Sequence, residues 1–139
     1  MDKDLIRFDK KSTFVFCDFE TYNLCLSFSH NRPWQAGLIK VKSNKIIESL
    51  DLYIKWDTNL KIGKEAARIT KYSESKFRKR AIDHKKAFDQ MAPWLDGCDY
   101  IVGHNFLGFD IYLLKGYYDF MGKDYSHLTE KIIDTNYIS

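Results

Sequence analysis

Two acidic residues lie at the end of an apolar run near the start of the sequence. The run from Thr13 to Asp18 reads T-F-V-F-C-D, and Glu20 follows Asp18 by two positions. Side chains alternate between the faces of a β-strand, so Asp18 and Glu20 are expected to point the same way. Adjacent carboxylates repel each other unless a cation lies between them, and oxygen ligands suit Mg²⁺ or Mn²⁺. The pair indicates a candidate metal site, although a solvent-exposed Glu20 in the following loop would also explain it.

A second polar segment follows another short apolar run. Val102 to Asp110 reads V-G-H-N-F-L-G-F-D and leads into a helical pattern. An Asp at the start of a helix commonly caps unpaired N–H groups, and this ordinary role would explain Asp110. If the two strands are neighbours in one sheet, however, Asp110 lies beside Asp18 and Glu20. The combination therefore predicts a cluster of three carboxylates at one edge of a sheet.

The two segments resemble the motifs of the DEDD, or DnaQ-like, 3′→5′ exonucleases, a family that includes the proofreading domains of DNA polymerases. Residues 18–24 (D-F-E-T-Y-N-L) are similar to the first motif, D-x-E-T-x-x-L. Residues 103–110 (G-H-N-F-L-G-F-D) are similar to the second motif, G-H-N-x-x-x-F-D. Residues 67–70 resemble the segment around Gly-Ile-Thr, with Arg68 in place of Gly, and residues 132–135 resemble the strand after the second-motif helix.

The resemblance implies a ribonuclease H-like fold and hydrolysis of phosphodiester bonds at the 3′ ends of single-stranded DNA, as in proofreading. Catalysis in this family uses two Mg²⁺ or Mn²⁺ ions, one activating a water molecule and the other stabilising the departing 3′ oxygen. Asp18 would bridge both ions, while Glu20 and Asp110 would bind one each. A DNA polymerase is the protein partner that the resemblance suggests.

The resemblance also assigns residues to contact with the nucleic acid. Leu24 and Phe109 would pack against the terminal bases or sugar, a contact that tolerates any sequence. Asn105 would fix the second-motif loop or the nucleotide, and His104 fits a structural role better than that of a metal ligand. The full set expected at the nucleic acid is Thr21, Leu24, His104, Asn105, Phe109, Arg68 and Lys71.

The family's third motif, H-x4-D or Y-x3-D, does not occur after Asp110. It supplies the fourth carboxylate and a His or Tyr that orients the attacking water. The same spacings occur from His84 to Asp89 and from Tyr53 to Asp57, but they precede the second motif and are interpreted as chance. Asp134 is expected to hold the end of the last strand and the helix that follows it.

These observations predict one exonuclease-like domain over residues 1–139 that ends before its third motif. We expect the chain alone to hydrolyse DNA weakly or not at all, with a C-terminal continuation or another chain supplying the missing groups. An exoribonuclease remains an alternative, since the sequence does not show whether the site accepts a 2′-hydroxyl group. A non-catalytic module that binds nucleic acid or a polymerase through the same fold is another alternative.

The elements that would position these residues form an α/β fold, a mixed five-stranded sheet flanked by helices. Strands are predicted over Thr13–Asp18, Pro33–Val41, Lys45–Trp56, Asp99–Gly103 and Lys131–Thr135. Helices are predicted over Glu65–Ile69, from about Asp83 to Leu95, and from Phe109 or Asp110 to Phe120. Pro93 is expected to bend or shorten the second helix. Because the first strand is apolar on both alternating faces, it is expected to be covered on two sides.

Composition agrees with one folded domain. The chain has 139 residues, of which 45% are hydrophobic and only 2 are Pro, so a disordered chain and a large multidomain enzyme are excluded. No apolar run approaches the roughly 18 residues of a membrane span, so no membrane partner is expected. Three Cys without C-x-x-C spacing and an N-terminus without an apolar leader predict reduced thiols and a cytoplasmic location, or the host cytoplasm if the protein is viral.

The net charge of +3 hides an uneven distribution. Residues 61–86 contain ten Lys or Arg against three acidic residues, a local charge of +7, and the remainder carries −4. Such a basic segment suits a polyanion partner, and it is equally typical of a solvated helical face.

Overall fold

The structure, a computed structural model, describes residues 11–21, 32–57 and 72–135. The first part is a meander of three antiparallel strands, β1 (Thr13–Thr21), β2 (Pro33–Lys42) and β3 (Lys45–Lys55). At the turn between β2 and β3, Ser43 and Asn44 have φ values of 54° and 62°. Two-residue hairpin turns of this kind require the left-handed conformation at both positions.

The second part alternates helices and short strands. Its elements are α1 (Glu74–Arg80), β4 (Ala81–Asp83), α2 (His84–Gly97), β5 (Tyr100–Gly103), a π-helical turn (Phe106–Asp110), α3 (Ile111–Phe120), a 3-10 turn (Thr129–Lys131) and β6 (Ile132–Asp134). The predicted helix Glu65–Ile69 lies outside the described residues. Within the described ranges, no helix has the length and apolar character needed to cross a membrane.

The strands form one mixed sheet in the order β4-β3-β2-β1-β5-β6. The pairs β3–β4, β1–β5 and β5–β6 are parallel. The predicted mixed α/β sheet is confirmed, but its strand number was wrong, since there are six strands instead of five. The additional strand, β4, has only three residues, too few to show the alternation by which a strand is recognised in a sequence.

Both long helices differ slightly from prediction. α2 continues through Pro93 to Gly97 instead of ending early. Met91 and Leu95, on either side of Pro93, are fully buried, and this packing offsets the hydrogen bond that Pro cannot make. α3 begins at Ile111, just after the predicted start, and ends at Phe120 as predicted. The φ of 69° at Gly122 then allows the N–H of Lys123 to bond back to the carbonyl oxygen of Tyr118.

The core lies on one side of β1. Val15, Cys17 and Phe19 are buried in one cluster with the inward residues of α2 and α3. On the opposite face Phe16 is 43% exposed, and its partner Ile39 on β2 is 39% exposed. The expectation that β1 is covered on two sides was therefore wrong for the described residues, because α2 and α3 contribute their buried side chains to the same side.

Candidate active site

β1 continues to Thr21 and so carries both Asp18 and Glu20 within the strand. Burial alternates along it, with Cys17 and Phe19 in the core and the two acidic residues on the other, more open face. The explanation of Glu20 as a loop residue is therefore excluded, and the two carboxylates share a face as predicted.

Asp110 reaches this strand from its parallel neighbour. β5 runs parallel to β1, with Val102 opposite Phe16. The chain therefore leaves β5 at the same end of the sheet at which Asp18 lies on β1. Although Asp110 immediately precedes α3, its side chain makes no capping hydrogen bond. Instead its Oδ2 accepts a hydrogen bond of 3.4 Å from the backbone N–H of Phe19. The ordinary role as a helix cap is therefore not the one observed, and the third carboxylate lies against the backbone between Asp18 and Glu20.

The loop that carries Asp110 is tightly constrained. A Cβ atom at Gly103 would lie 2.5 Å from Cδ1 of Phe106 and 3.1 Å from the carbonyl oxygen of Cys17. At the centre of the loop, the backbone N–H of Leu107 donates a hydrogen bond of 2.9 Å to Oδ2 of Asp134. Asp134 at the end of β6 thus holds the second-motif loop, a contact that the sequence did not predict.

Asn105 and Gly108 shape the same loop. Asn105 has a left-handed φ of 54°, and its carbonyl oxygen accepts a hydrogen bond of 3.2 Å from the N–H of Gly108. Its side-chain oxygen lies only 2.6 Å from where a Cβ of residue 108 would be. Asn105 therefore packs against the loop backbone, and a contact with a nucleotide stays a prediction.

Burial disfavours the charged form of each of the three carboxyl groups at this site. Burial raises the pKa of Asp110 to about 7, and the charge of Asp18 contributes to that rise. Burial also raises the pKa of Asp18 and of Glu20, the latter with help from the Asp18 charge. Among the described residues, no Lys or Arg forms an ion pair with any of the three carboxylates. The cluster therefore costs free energy when it is fully ionised.

This arrangement fits a divalent cation. All donors are carboxylate oxygens, which Mg²⁺ and Mn²⁺ prefer, and a bound cation would relieve the repulsion by Asp18 that adds to the raised pKa of Glu20 and of Asp110. An open cleft of about 570 Å³ lies beside Asp18 and is lined also by Phe16, Val102 and His104. A ligand can therefore approach the acidic edge from solvent.

The other predicted site residues are placed as follows. Thr21 is buried at the end of β1, Phe109 is half-buried against the core, and His104 is exposed with its Nδ1 3.1 Å from Oγ1 of Thr135. Leu24, Arg68 and Lys71 lie outside the described residues. The structure thus brings the second-motif residues to the acidic edge but does not address those three.

The described portion of the basic segment is largely solvated. α1 has no buried residue, and its last turn carries Arg78, Lys79 and Arg80. Arg78 pairs with Glu74 and Arg80 with Asp51, both at exposed positions. These contacts suit a solvated helical face, and the binding of a polyanion by this segment stays a prediction.

Sequence reasoning missed a second cluster. Asp57, Asp83 and His84 each offer one ligand atom, and these atoms all lie within 4.8 Å of one another. A signal did exist, because Asp57 and His84 belong to the two motif-like spacings that were interpreted as chance. Nothing in the sequence indicated that the two would meet.

Comparison with known proteins agrees with this site. A family model described as Exonuclease (RNase_T) matches residues 15–139, which include Asp18, Glu20 and Asp110. No curated protein sequence matches the chain significantly.

Solved structures share the fold. The metal-free form of an exonuclease I–single-stranded DNA complex from E. coli has a TM-score of 0.78 at 20% identity over 91% of this chain. Exonuclease I of E. coli with a dT13 oligonucleotide, and exonuclease I with the inhibitor BCBP, both have TM-scores of 0.74, at 20% and 21% identity over 89% of this chain. The chain spans only 28% of the length of each of these exonuclease I chains. Because the family model covers most of the sequence and includes the three clustered carboxylates, the chain belongs to the RNase T-type exonuclease family, the DEDD class of nucleases.

Proposed function

We propose that this protein is a metal-dependent 3′→5′ exonuclease that acts on single-stranded DNA. The observation that carries the proposal is the position of Asp110, whose carboxylate accepts a hydrogen bond from Phe19, the residue between Asp18 and Glu20. Two carboxylates on β1 and a third from the π-helical turn after its parallel neighbour β5 thus lie close enough to interact electrostatically.

Asp18, Glu20 and Asp110 would hold two Mg²⁺ or Mn²⁺ ions, with Asp18 shared between them. When bound, the ions supply an activated water molecule and stabilise the charge on the departing 3′ oxygen. The chain itself holds the carboxylates in register through the β1–β5 pairing and anchors the second-motif loop through Asp134. Such preorganisation matters because a misplaced ligand would have to move before each reaction.

Single-stranded DNA is the proposed substrate because binding need not read any base. Phe109 would offer an apolar contact to terminal bases or sugar, as would Leu24, which lies outside the described residues, and Asn105 and His104 belong to the second-motif loop. Exonuclease I has been solved in complex with single-stranded DNA and with a dT13 oligonucleotide, which supports the proposal for this chain. Basic residues of the 61–86 segment, including Arg68 and Lys71, would add contacts to phosphates that do not depend on sequence.

A proofreading role, a DNA polymerase partner and a cytoplasmic location, in the host if the protein is viral, stay predictions. The family's third motif does not occur after Asp110, so hydrolysis by this chain alone is expected to be weak or absent.

The proposal is tested with a 5′-labelled single-stranded oligonucleotide and an excess of protein in Mg²⁺ or Mn²⁺. We expect slow, stepwise shortening from the 3′ end that EDTA and Asp110→Asn abolish. Asp119→Asn, the same change at an exposed position of α3, should keep the activity. Shortening that survives Asp110→Asn would contradict the assignment, and metal-independent binding without any shortening would favour the non-catalytic module.

A further inference from the structure

The end of β3 and the start of α2 bring one imidazole and two carboxylates together, outside the candidate active site. Nδ1 of His84 lies 3.4 Å from Oδ1 of Asp83 and 3.8 Å from Oδ1 of Asp57. His84 and Asp83 are consecutive at the first turn of α2, whereas Asp57 follows β3. Three ligand atoms thus converge from two elements of the fold.

His84 is the unusual member of this cluster. Its side chain is fully buried, yet neither ring nitrogen has a hydrogen-bond partner. The ring stacks on Trp56 at a centroid distance of 4.9 Å and contacts the edge of Phe120, so packing fixes its orientation. A buried polar atom without a partner costs free energy and calls for an explanation. Nδ1, the nitrogen that faces both carboxylates, is the atom that a ligand would satisfy.

The carboxylates have oxygens available for such a ligand. Asp83 uses Oδ2 to cap α2 through a hydrogen bond of 3.0 Å from the N–H of Lys85, which leaves Oδ1 facing His84. The Asp57 side chain is 71% exposed, so ions can reach the site from solvent. A cleft of about 550 Å³ adjoins both aspartates and is also lined by Lys55 and Lys86, whose amines form no ion pair with either carboxylate among the described residues.

The spacing agrees with metal coordination. With bonds of about 2.0–2.2 Å, two ligand atoms at a tetrahedral angle lie about 3.4 Å apart. The two separations from Nδ1, 3.4 and 3.8 Å, therefore need adjustments of only a few tenths of an ångström, and the two carboxylate oxygens lie within 4.8 Å of each other. One imidazole nitrogen with two carboxylate oxygens suits Zn²⁺ or a similar transition-metal ion better than Mg²⁺.

We propose that Asp57, Asp83 and His84 form a second cation site that takes Zn²⁺ and ties the end of β3 to the start of α2. Water completes the coordination on the open side. The site is independent of Asp18, Glu20 and Asp110, so it can exist whether or not the proposed exonuclease activity is found.

Trp56 provides a local readout, because a paramagnetic Co²⁺ ion bound at His84 would quench the fluorescence of the ring stacked on it. We expect saturable quenching by Co²⁺ that Zn²⁺ reverses by displacement and that excess Mg²⁺ does not reverse. Loss of groups that merely support metal ligands weakens binding about 10–100-fold, so Asp57→Asn should weaken Co²⁺ binding at least that much. Asp83→Asn should do the same while keeping the helix cap, since Asn caps as well as Asp.

Two matched variants complete the test. Co²⁺ should quench the fluorescence of two control variants as it does that of the unchanged chain. These are Asp89→Asn, at an exposed position of α2, and Asp110→Asn, at the candidate active site. Metal-free melting curves of each variant show that it is folded. The proposal is overturned if Co²⁺ gives no saturable quenching, or if Co²⁺ quenches Asp57→Asn and Asp83→Asn as strongly as the unchanged chain. It is also overturned if Asp110→Asn is the variant that abolishes quenching.

Discussion

The backbone N–H of Phe19 on β1 donates a hydrogen bond of 3.4 Å to the carboxylate of Asp110, 91 residues further along the chain. This contact connects the two sequence motifs, because the residues on either side of Phe19 are Asp18 and Glu20. Burial raises the pKa of Asp110 to about 7 and the charge of Asp18 adds to that rise, whereas the hydrogen bond from Phe19 partly opposes it. The cluster is poorly suited to a metal-free protein and well suited to a cation site.

Removing the charge of Asp110 should therefore stabilise the metal-free protein. The pKa of Asp110 is about 7 in the folded chain and about 3.9 in the unfolded chain, so its ionised form destabilises the folded state. This destabilisation is complete above pH 7 and decreases as the pH falls toward 4. Asp110→Asn can still accept the hydrogen bond from Phe19. In EDTA at pH 8, the free energy of unfolding of Asp110→Asn, measured by urea denaturation, should exceed that of the unchanged chain by up to about 4 kcal/mol.

The same experiment has two internal checks. The advantage of Asp110→Asn should shrink as the pH is lowered toward 4, and Mg²⁺ should stabilise the unchanged chain but not the variant. If Asp110→Asn is less stable than the unchanged chain at pH 8 in EDTA, the ionised Asp110 carboxylate does not destabilise the metal-free protein.

A methyl group at Gly103 should disrupt the junction between β5 and the second-motif loop. Its Cβ would meet the Phe106 ring at 2.5 Å and the Cys17 carbonyl at 3.1 Å. Overpacking of this kind costs about 1–3 kcal/mol, so Gly103→Ala should lower the free energy of unfolding by that amount. Gly116→Ala in α3 is the matched control, since its Cβ meets nothing within 4 Å and Ala favours the helix by about 0.5–1 kcal/mol. Equal effects of the two variants would refute the steric explanation.

Asp134 should contribute to the site by holding its loop. Asp134→Ala removes the acceptor of the Leu107 N–H, and an unpaired, partly buried donor costs about 1–3 kcal/mol. We expect reduced stability and a lower rate of DNA shortening, measured by thermal melting and the oligonucleotide assay. Asp134→Asn keeps a carbonyl acceptor and should retain more of both properties. An Ala variant with normal stability and rate would show that the loop needs no such anchor.

Much of the candidate site could be predicted from sequence because it depends on local rules. Alternation along β1 places Asp18 and Glu20 on one face, and a short strand before Asp110 makes β5 a natural neighbour of β1. The direction of the Asp110 side chain could not be predicted, because capping of α3 and contact with Phe19 are both compatible with the same residues. Tertiary packing decides between them.

The features that were missed share a physical cause. β4 has three residues and carries no periodic signal, and α2 passes Pro93 only because buried residues on both sides hold it. The meeting of Asp57 and His84 depends on the parallel pairing of Lys55 with Asp83, which alternation within each strand does not reveal. Such long-range pairings between short elements require the folded structure.

The most direct measurement is an anomalous-difference map from crystals grown with Mn²⁺. The account predicts a Mn²⁺ peak coordinated by the carboxylates of Asp18, Glu20 and Asp110, and no peak there in crystals of Asp110→Asn. A map without a peak at these three carboxylates, at a Mn²⁺ concentration that supports nuclease activity, would contradict the central claim that they form the metal centre.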